Sequence, residues 1–333
     1  MTLTAIKLRF TAPLHIGGGI DLDKTEIIYR SDALKAALYA VGLPWFDAWK
    51  DASYFFSSFC ISSCFPYAGN EYFFPRPYLN TRLKFNQTPE QEAGKKAKKI
   101  TFLSQRVFEQ FVAGNDQIIA DEQCITPDGH FLCAAPNTAA GNFFLTAVQQ
   151  RVTVPREGEN EETRPFYADR LYFHNNCGLY FLAQFNDQQI QQQVYQALSL
   201  LGQLGIGSDR TVGNGFFSFD PQLDEAPFTF SITPTGQNKV INLGLYLPTY
   251  EELQHIDLNQ SYWQLIKRGG YIAASAESRF SHLRKKSIYF FAEGSVLHAS
   301  QQLKGKLENL RPDWNDSALH PVWRDGQCLF ISL

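Results

Sequence analysis

Four glycines and one arginine lie between an amphipathic helical stretch and an apolar strand-like stretch, in the run Gly205-Ile206-Gly207-Ser208-Asp209-Arg210-Thr211-Val212-Gly213-Asn214-Gly215-Phe216-Phe217. So many glycines at one point break both helix and strand, and they let the backbone take positive φ with no Cβ in the way of a close approach. Neighbouring N–H groups and Arg210 then supply donors to an anionic oxygen. The run is not a nucleotide-binding P-loop. That motif ends in Gly-Lys-Ser/Thr, whereas Gly215-Phe216-Phe217 stands here. A dinucleotide fingerprint follows a strand and opens a helix, the reverse of this order. Two readings stay open from the segment alone: a long hairpin loop or a phosphate cradle.

The flanking pattern is that of an α+β chain. Ile6, Leu8 and Phe10 alternate with Lys7 and Arg9, a strand with one buried face that Pro13 closes. Ser31 is placed to cap a helix whose stripe is Leu34, Leu38 and Val41, with Gly42 and Pro44 at its exit. Residues 53–79 are aromatic and proline-punctuated, which predicts short strands turned at Pro66 to Asn70; the aromatic stretch Tyr54 to Phe74 is either core or a docking patch. Asn80 to Lys99 reads as a polar, mobile loop carrying Lys95, Lys96, Lys98 and Lys99. Ser104 opens a short helix with Val107, Phe108, Phe111 and Val112 inward and Gly114 at its end. Arg151 to Arg164 is too polar for core and reads as a protruding hairpin. Gly178 to Phe185 is a strand, and Ile190, Val194, Ala197, Leu198 and Leu201 are the stripe of a helix ending at Gly202.

This order suits a βαββαβ, ferredoxin-like domain over residues 1–222. After a linker from Pro221 to Pro227 the grammar restarts with a strand at Asn242 to Leu247 and Thr249 and Glu252 in capping-box spacing. Strands at Ser287 to Ala292 and Gln327 to Leu333 complete a smaller α+β domain over residues 223–333.

Composition narrows the function classes. With 30 Lys+Arg against 33 Asp+Glu in 333 residues, a nucleic-acid binder basic over its whole surface is excluded, and any RNA site is local. The six cysteines form no Cys-x-x-Cys pair and the seven histidines lack zinc-site spacing, so the thiols are read as reduced and no metal or other cofactor is expected. The N-terminus enters a strand pattern at once, without a leader, and no run is long and apolar enough to span a bilayer, which predicts a cytoplasmic protein.

Several segments, in their common order, resemble the RAMP superfamily of CRISPR-associated proteins, and within it the Cas-five-group subunits of type III-A (Csm) effector complexes. They are Pro13-Leu14-His15-Ile16-Gly17-Gly18, Ser31-Asp32-Ala33-Leu34, Tyr72-Phe73-Phe74-Pro75-Arg76-Pro77, Pro165-Phe166-Tyr167 and Gly178-Leu179-Tyr180-Phe181. After the glycine loop follow Tyr246-Leu247-Pro248-Thr249, Lys267-Arg268-Gly269-Gly270, Arg284-Lys285-Lys286-Ser287 and Glu293-Gly294-Ser295. The resemblance implies two tandem ferredoxin-like (RRM-like) domains with a glycine-rich loop and an inserted thumb-like hairpin, mapped onto Arg151 to Arg164 or Asn80 to Lys99. It implies a non-catalytic subunit that holds the 5′ tag of the guide crRNA beside the guide–target RNA duplex. It also implies that the subunit anchors the large polymerase-like effector subunit next to the RAMP backbone subunit, in defence against viruses and plasmids.

RNA-tag recognition needs donors and cations for phosphates, faces for unstacked bases, and polar groups that sense the 2′-OH. The residues placed in that role are His15, Gly17 and Gly18 in the first loop, Arg151 and Arg156 on the hairpin, and Gly205, Gly207, Ser208, Arg210, Gly213 and Gly215 in the glycine loop. Lys267, Arg268, Arg284 and Lys285 add either a stretch of RNA channel or a solvated face. Asp32 is read as first-turn charge favourable to a helix N-terminus rather than a cutting residue. Two rivals stand beside this reading: a RAMP endoribonuclease maturing precursor crRNA with His15 as general acid or base, and a protein-interaction scaffold with no RNA role.

Overall fold

The computed structural model describes residues 3–17, 24–86, 90–115, 117–153, 164–232, 238–272, 278–280, 283–313, 316 and 318–333. Gly18 and Arg156, both expected at the RNA site, lie outside the described residues.

The first strand, Leu3–Phe10, is the spine of a mixed sheet. It pairs antiparallel with Cys177–Phe185 on one side, and on the other with Phe217–Ser218 and then Glu225–Phe228. Cys177–Phe185 in turn pairs with Phe59–Ile61 and Phe65–Ala68, after which the sheet continues through Glu71–Pro75, Phe102–Ser104 and Phe131–Leu132. Ile6 and Leu8 are fully buried, as their alternation predicts.

Two helices cover this sheet, Ser31–Gly42 and Gln188–Leu204. The second buries Ile190, Val194, Ala197, Leu198 and Leu201 completely, and Asp187 caps it by accepting from the Ile190 N–H. It runs two residues beyond Gly202 and stops at Gly205, whose φ of 75° ends the helix. Gly202 is needed for packing, since a Cβ there would lie 2.4 Å from the Phe217 carbonyl oxygen. The first helix begins at Ser31, with Arg30 in the cap position, because the Ser31 hydroxyl accepts instead from the Leu245 N–H of the C-terminal half.

Three other expectations change. Ala52–Ser57 is a short helix capped by Asp51, and Phe55, Phe56, Phe59, Phe65, Phe73 and Phe74 are all fully buried, so the aromatic stretch is core. Asn80 to Lys99 is not a loop: it holds the strand Arg82–Phe85, parallel to Gln117–Ala120, and the helix Glu90–Lys99, which turns Ala93 and Ala97 onto Leu83, Phe85 and Ile100. The Pro221 to Pro227 stretch is no linker either. Asp220 caps the turn Pro221–Asp224, which reverses the chain so that Glu225–Phe228 returns to the first strand, beyond the boundary expected at residue 222.

The hairpin expected around Arg151 to Arg164 is the upper part of a long two-stranded ribbon, Phe144–Thr153 against Arg164–Phe173. Its tip lies outside the described residues. At its root Leu171 exchanges backbone hydrogen bonds with Leu14.

The C-terminal half is built on a four-stranded antiparallel sheet. Lys239–Asn242 lies between Val296–Ala299 and Phe330–Ser332, and Ile256–Tyr262 takes the outer side of Val296–Ala299. Thr249 and Glu252 form the predicted capping box at the head of the helix Tyr250–Gln254. A ribbon of Leu265–Arg268 with Ile288–Phe291 stands beside the sheet. The two halves share one core, in which Ile241, Leu243, Val296, Leu329 and Ile331 pack with Ala5, Phe65, Tyr180 and Leu182. All six cysteines are free thiols. Among the described residues no helix is long and apolar enough to cross a membrane, and no group of three or more His, Cys, Asp or Glu side chains is arranged to hold a metal ion.

Candidate nucleic-acid interface

The glycine loop is fixed by backbone hydrogen bonds to the segment that follows the first strand. Gly215 N–H donates to the Pro13 carbonyl at 2.7 Å, Ser208 N–H to that of His15 at 2.9 Å, and Ile206 N–H closes the loop on Gly215 at 3.0 Å. Gly205, Gly207, Gly213 and Gly215 all have positive φ, between 74° and 89°. At the centre, Asp209 is itself left-handed, with φ of 59°, and its carbonyl receives the Val212 N–H and both the N–H and side-chain amide of Asn214. Arg210 opens the turn that follows and is exposed; its carbonyl accepts from the Gly213 N–H, and its side chain makes no hydrogen bond or ion pair among the described residues.

The ribbon meets the loop through charge. Arg151 Nη1 lies 3.2 Å from Asp209 Oδ2, and Arg170 Nη2 lies 3.8 Å from the same oxygen. Arg170 is buried, Nη1 donates to Gln149, and Nε and Nη2 have no hydrogen-bond partner among the described residues. Arg170 carries no motif, but a period-two reading places Ala147, Gln149 and Arg151 on the face shared by Arg170 once the pairing of Ala147 with Arg170 is known.

His15 is not on the surface. It is 1 % exposed, and Nδ1 is 2.6 Å from the Asp169 carbonyl, an acceptor only, so Nδ1 carries the proton. Among the described residues Nε2 has no hydrogen-bond partner; it faces the gap between Gly17 and Ser208, where a Cβ on Gly17 would lie 3.8 Å from Nε2 and 3.5 Å from the Ser208 hydroxyl. The ring therefore braces the first loop against the ribbon and the glycine loop.

A second cluster sits across Tyr29 from the glycine loop. Asp32, in the first turn of the first helix, is fully buried and held by Arg268 at 3.2 and 3.1 Å and by Arg324 Nε at 3.5 Å. Burial alone pushes this carboxyl up; Arg268, Arg324 and Lys285 together outweigh it and hold Asp32 below the usual carboxylate range. Burial pushes the Tyr29 phenol up to about 12, helped by Cys64 and Asp32, while Arg210 and Arg324 both pull against that rise. Arg210 from the N-terminal half and Arg324 from the C-terminal half thus both bear electrostatically on Tyr29.

Of the residues expected at an RNA site, Gly17, Arg210, Lys267 and Arg284 are exposed. Lys267 has no partner among the described residues, and Arg284 lies over the Tyr271 ring, 5.2 Å from its centroid. Arg268 and Arg151 are committed to Asp32 and Asp209. Arg324, Arg170 and Tyr29 are additions to the expected set, and Arg324 has no signal in its local sequence.

Residues 235–333 match the CRISPR Csm4 C-terminal domain family. The CRISPR system Cms protein Csm4 of Streptococcus thermophilus is 25 % identical, over a stretch spanning 48 % of this chain and 50 % of that protein. Csm4 of Methanocaldococcus jannaschii is 21 % identical, with 95 % of this chain and 90 % of that protein aligned. Across the whole chain the fold matches a structure of the Csm3–Csm4 subcomplex of the type III-A CRISPR-Cas interference complex, with TM-score 0.65, 15 % identity, and 100 % and 99 % of the two chains covered. This chain is Csm4-like, in sequence over its C-terminal domain and in fold throughout. A structure of the Csm1–Csm4 cassette in complex with cA4 also matches, with TM-score 0.58 and 18 % identity over 100 % of this chain and 98 % of that one.

Proposed function

We propose that this Csm4-like chain is a non-catalytic subunit of a type III-A CRISPR effector complex, that it grips the 5′ tag of the guide crRNA, and that it anchors the large polymerase-like subunit Csm1 beside the backbone subunit Csm3. Both halves are read as ferredoxin-like. In each, the strands lie in the order fourth, first, third, second and run antiparallel, with Leu3–Phe10 first in one half and Lys239–Asn242 first in the other. The Phe144 to Phe173 ribbon is the element assigned to the thumb beside the guide–target duplex.

The observation that carries the RNA reading is Arg210, an exposed guanidinium without a protein partner among the described residues, on a loop clamped on both sides. Such a group is free to make charge-assisted, bidentate contact with a phosphate at no cost in broken pairs. For the anchoring role, Leu265, Lys267 and Tyr289 share one face of the C-terminal ribbon beside Trp263; Leu265, Tyr289 and Trp263 are exposed apolar groups of the kind a partner buries. The burial of His15 favours holding over cutting.

Binding of 5′-tagged guide RNA to the purified protein, titrated at several salt concentrations, tests the reading. Arg210→Ala is expected to weaken binding by about 1.5–3 kcal/mol, roughly ten- to a hundredfold. The log–log salt slope should shrink by about 0.7, because the variant neutralises one phosphate fewer. Unchanged affinity and slope would remove the glycine loop from the RNA site.

A further inference from the structure

The strand Arg82–Phe85 uses only one of its edges. It pairs in parallel with Gln117–Ala120, and among the described residues the pair has no third strand. Along the other edge its N–H and C=O groups make no backbone hydrogen bond among the described residues. Beside the strand runs a cleft of about 520 Å³, within the roughly 300–1,000 Å³ usual for binding sites. One wall is the chain from Leu79 to Phe85, and the other is the flank of the helix Glu90–Lys99 that carries Ala93, Gly94 and Ala97. The walls are fixed relative to each other: Leu83 and Phe85 turn inward onto Ala93 and Ala97, and Arg76 Nη1 donates to the Ala97 carbonyl at 2.6 Å.

Gly94 is the residue that this packing does not require. A glycine inside a helix is less favourable than alanine, because it gives up more backbone freedom on folding. Gly94 is exposed, and a Cβ there would meet nothing within 4 Å among the described residues. Contacts within the chain therefore give no reason for a bare Cα, whereas close approach of a backbone from outside does.

The charges around the cleft are of one sign. Arg82 and Lys84 alternate with the inward Leu83 and Phe85 and stand exposed, and exposed Lys98 lies one turn beyond Gly94 on the helix. None of these three side chains has a partner among the described residues. Lys96, by contrast, is paired with Glu122 at 2.7 Å. Ile119, opposite Lys84 in register and 62 % exposed, adds an apolar contact to the same face of the strand pair.

We propose that this cleft takes an extended, acidic segment of a partner protein, which adds to Arg82–Phe85 as a third strand. A strand supplies both donors and acceptors to the open edge, and its backbone can pass close over Gly94. Arg82, Lys84 and Lys98 select acidic side chains on it. RNA is a poorer occupant, since phosphates only accept and would leave the edge carbonyls without donors. A second copy of this chain is disfavoured, because edge-to-edge pairing would set Arg82 and Lys84 against the same cations. The cleft is built without any residue of the glycine loop or of the Phe144 to Phe173 ribbon, so it stands apart from the guide-RNA reading.

The probe is a fluorescein-labelled octapeptide of alternating Glu and Val, titrated into the full chain at fixed low ionic strength beside its Lys–Val counterpart. The acidic peptide is expected to bind and the basic one not, and saturation with the acidic peptide should slow hydrogen exchange at the Arg82–Phe85 amides. Gly94→Leu fills the cleft and favours the helix, so it should raise the melting temperature while weakening the acidic peptide by about tenfold or more. Arg82→Glu/Lys84→Glu should reverse the preference and take the basic peptide over the acidic one. No binding of the acidic peptide, equal binding of both peptides, unchanged exchange at Arg82–Phe85, or wild-type affinity in Gly94→Leu overturns the proposal. A labelled oligouridylate whose binding is lost in Gly94→Leu assigns the cleft to RNA, and a dimer lost in that variant assigns it to a second copy; either result also overturns the proposal.

Discussion

A Cβ on Gly215 would lie 1.9 Å from the Ile206 carbonyl oxygen, while one on Gly213, at a similarly positive φ, would meet nothing within 4 Å. The two positions separate the reasons for which a loop uses glycine. Gly213→Ala is expected to cost about 1–2 kcal/mol, the penalty of a left-handed L-residue. Gly215→Ala adds backbone displacement, about 1–3 kcal/mol more. Urea unfolding of the two variants checks the order, and an equal or smaller loss at Gly215 would mean that the loop does not close on Ile206. The sequence shows that this loop needs positive φ and close approach. It does not show what is approached: Gly205, Gly207 and Gly215 come up against the backbone of Asn214, His15 and Ile206, and the arginine is what faces outward.

At the scale of elements, legibility followed the size of the buried face. The helix Gln188–Leu204 buries a full stripe of Ile, Val and Leu and is plain in the sequence. Among its described side chains the helix Glu90–Lys99 turns only Ala93 and Ala97 inward, and two methyl groups among lysines and glutamates leave no apolar period to detect. The ribbon was legible as a protrusion, but its grip on the glycine loop was not, because it depends on register. Asp209 is the carboxylate that both arginines of that grip share. Asp209→Asn leaves the buried Arg170 guanidinium without a carboxylate and is expected to cost about 1–3 kcal/mol. Arg151→Ala removes a half-exposed partner and should cost about 0–1 kcal/mol. Thermal unfolding of both variants tests this, and equal losses would show that Arg170 adds nothing to the attachment.

For the whole molecule, the restarting grammar of strand, capped helix and strand made two α+β units readable, but the way they join depends on side chains far apart in the chain. The first turns of the helix Ser31–Gly42 carry that joint, through Asp32 to Arg268 and Arg324, and through Lys35 to Asp325. Lys35 is 1 % exposed, and its ammonium donates to the Phe56 and Phe59 carbonyls at 2.7 Å and to Asp325 at 2.5 Å, so all three protons are used. Lys35→Met would leave the Asp325 carboxylate buried without its cation, at an expected cost of about 3–5 kcal/mol near neutral pH. Burial already pushes the Asp325 carboxyl up, and Lys35 is the largest influence opposing it. In the variant the folded state therefore holds a proton on Asp325 that the unfolded chain has released, and stability falls as pH rises between the unfolded and folded values. The loss is smallest in acid and fully developed above the raised folded value. Denaturant unfolding at acidic and neutral pH measures both parts, with Lys35→Met/Asp325→Leu expected to recover most of the neutral-pH loss by removing the unpaired charge. If Lys35→Met stays within about 1 kcal/mol of the wild type at neutral pH, the two halves are held by their shared apolar core and not by this pair.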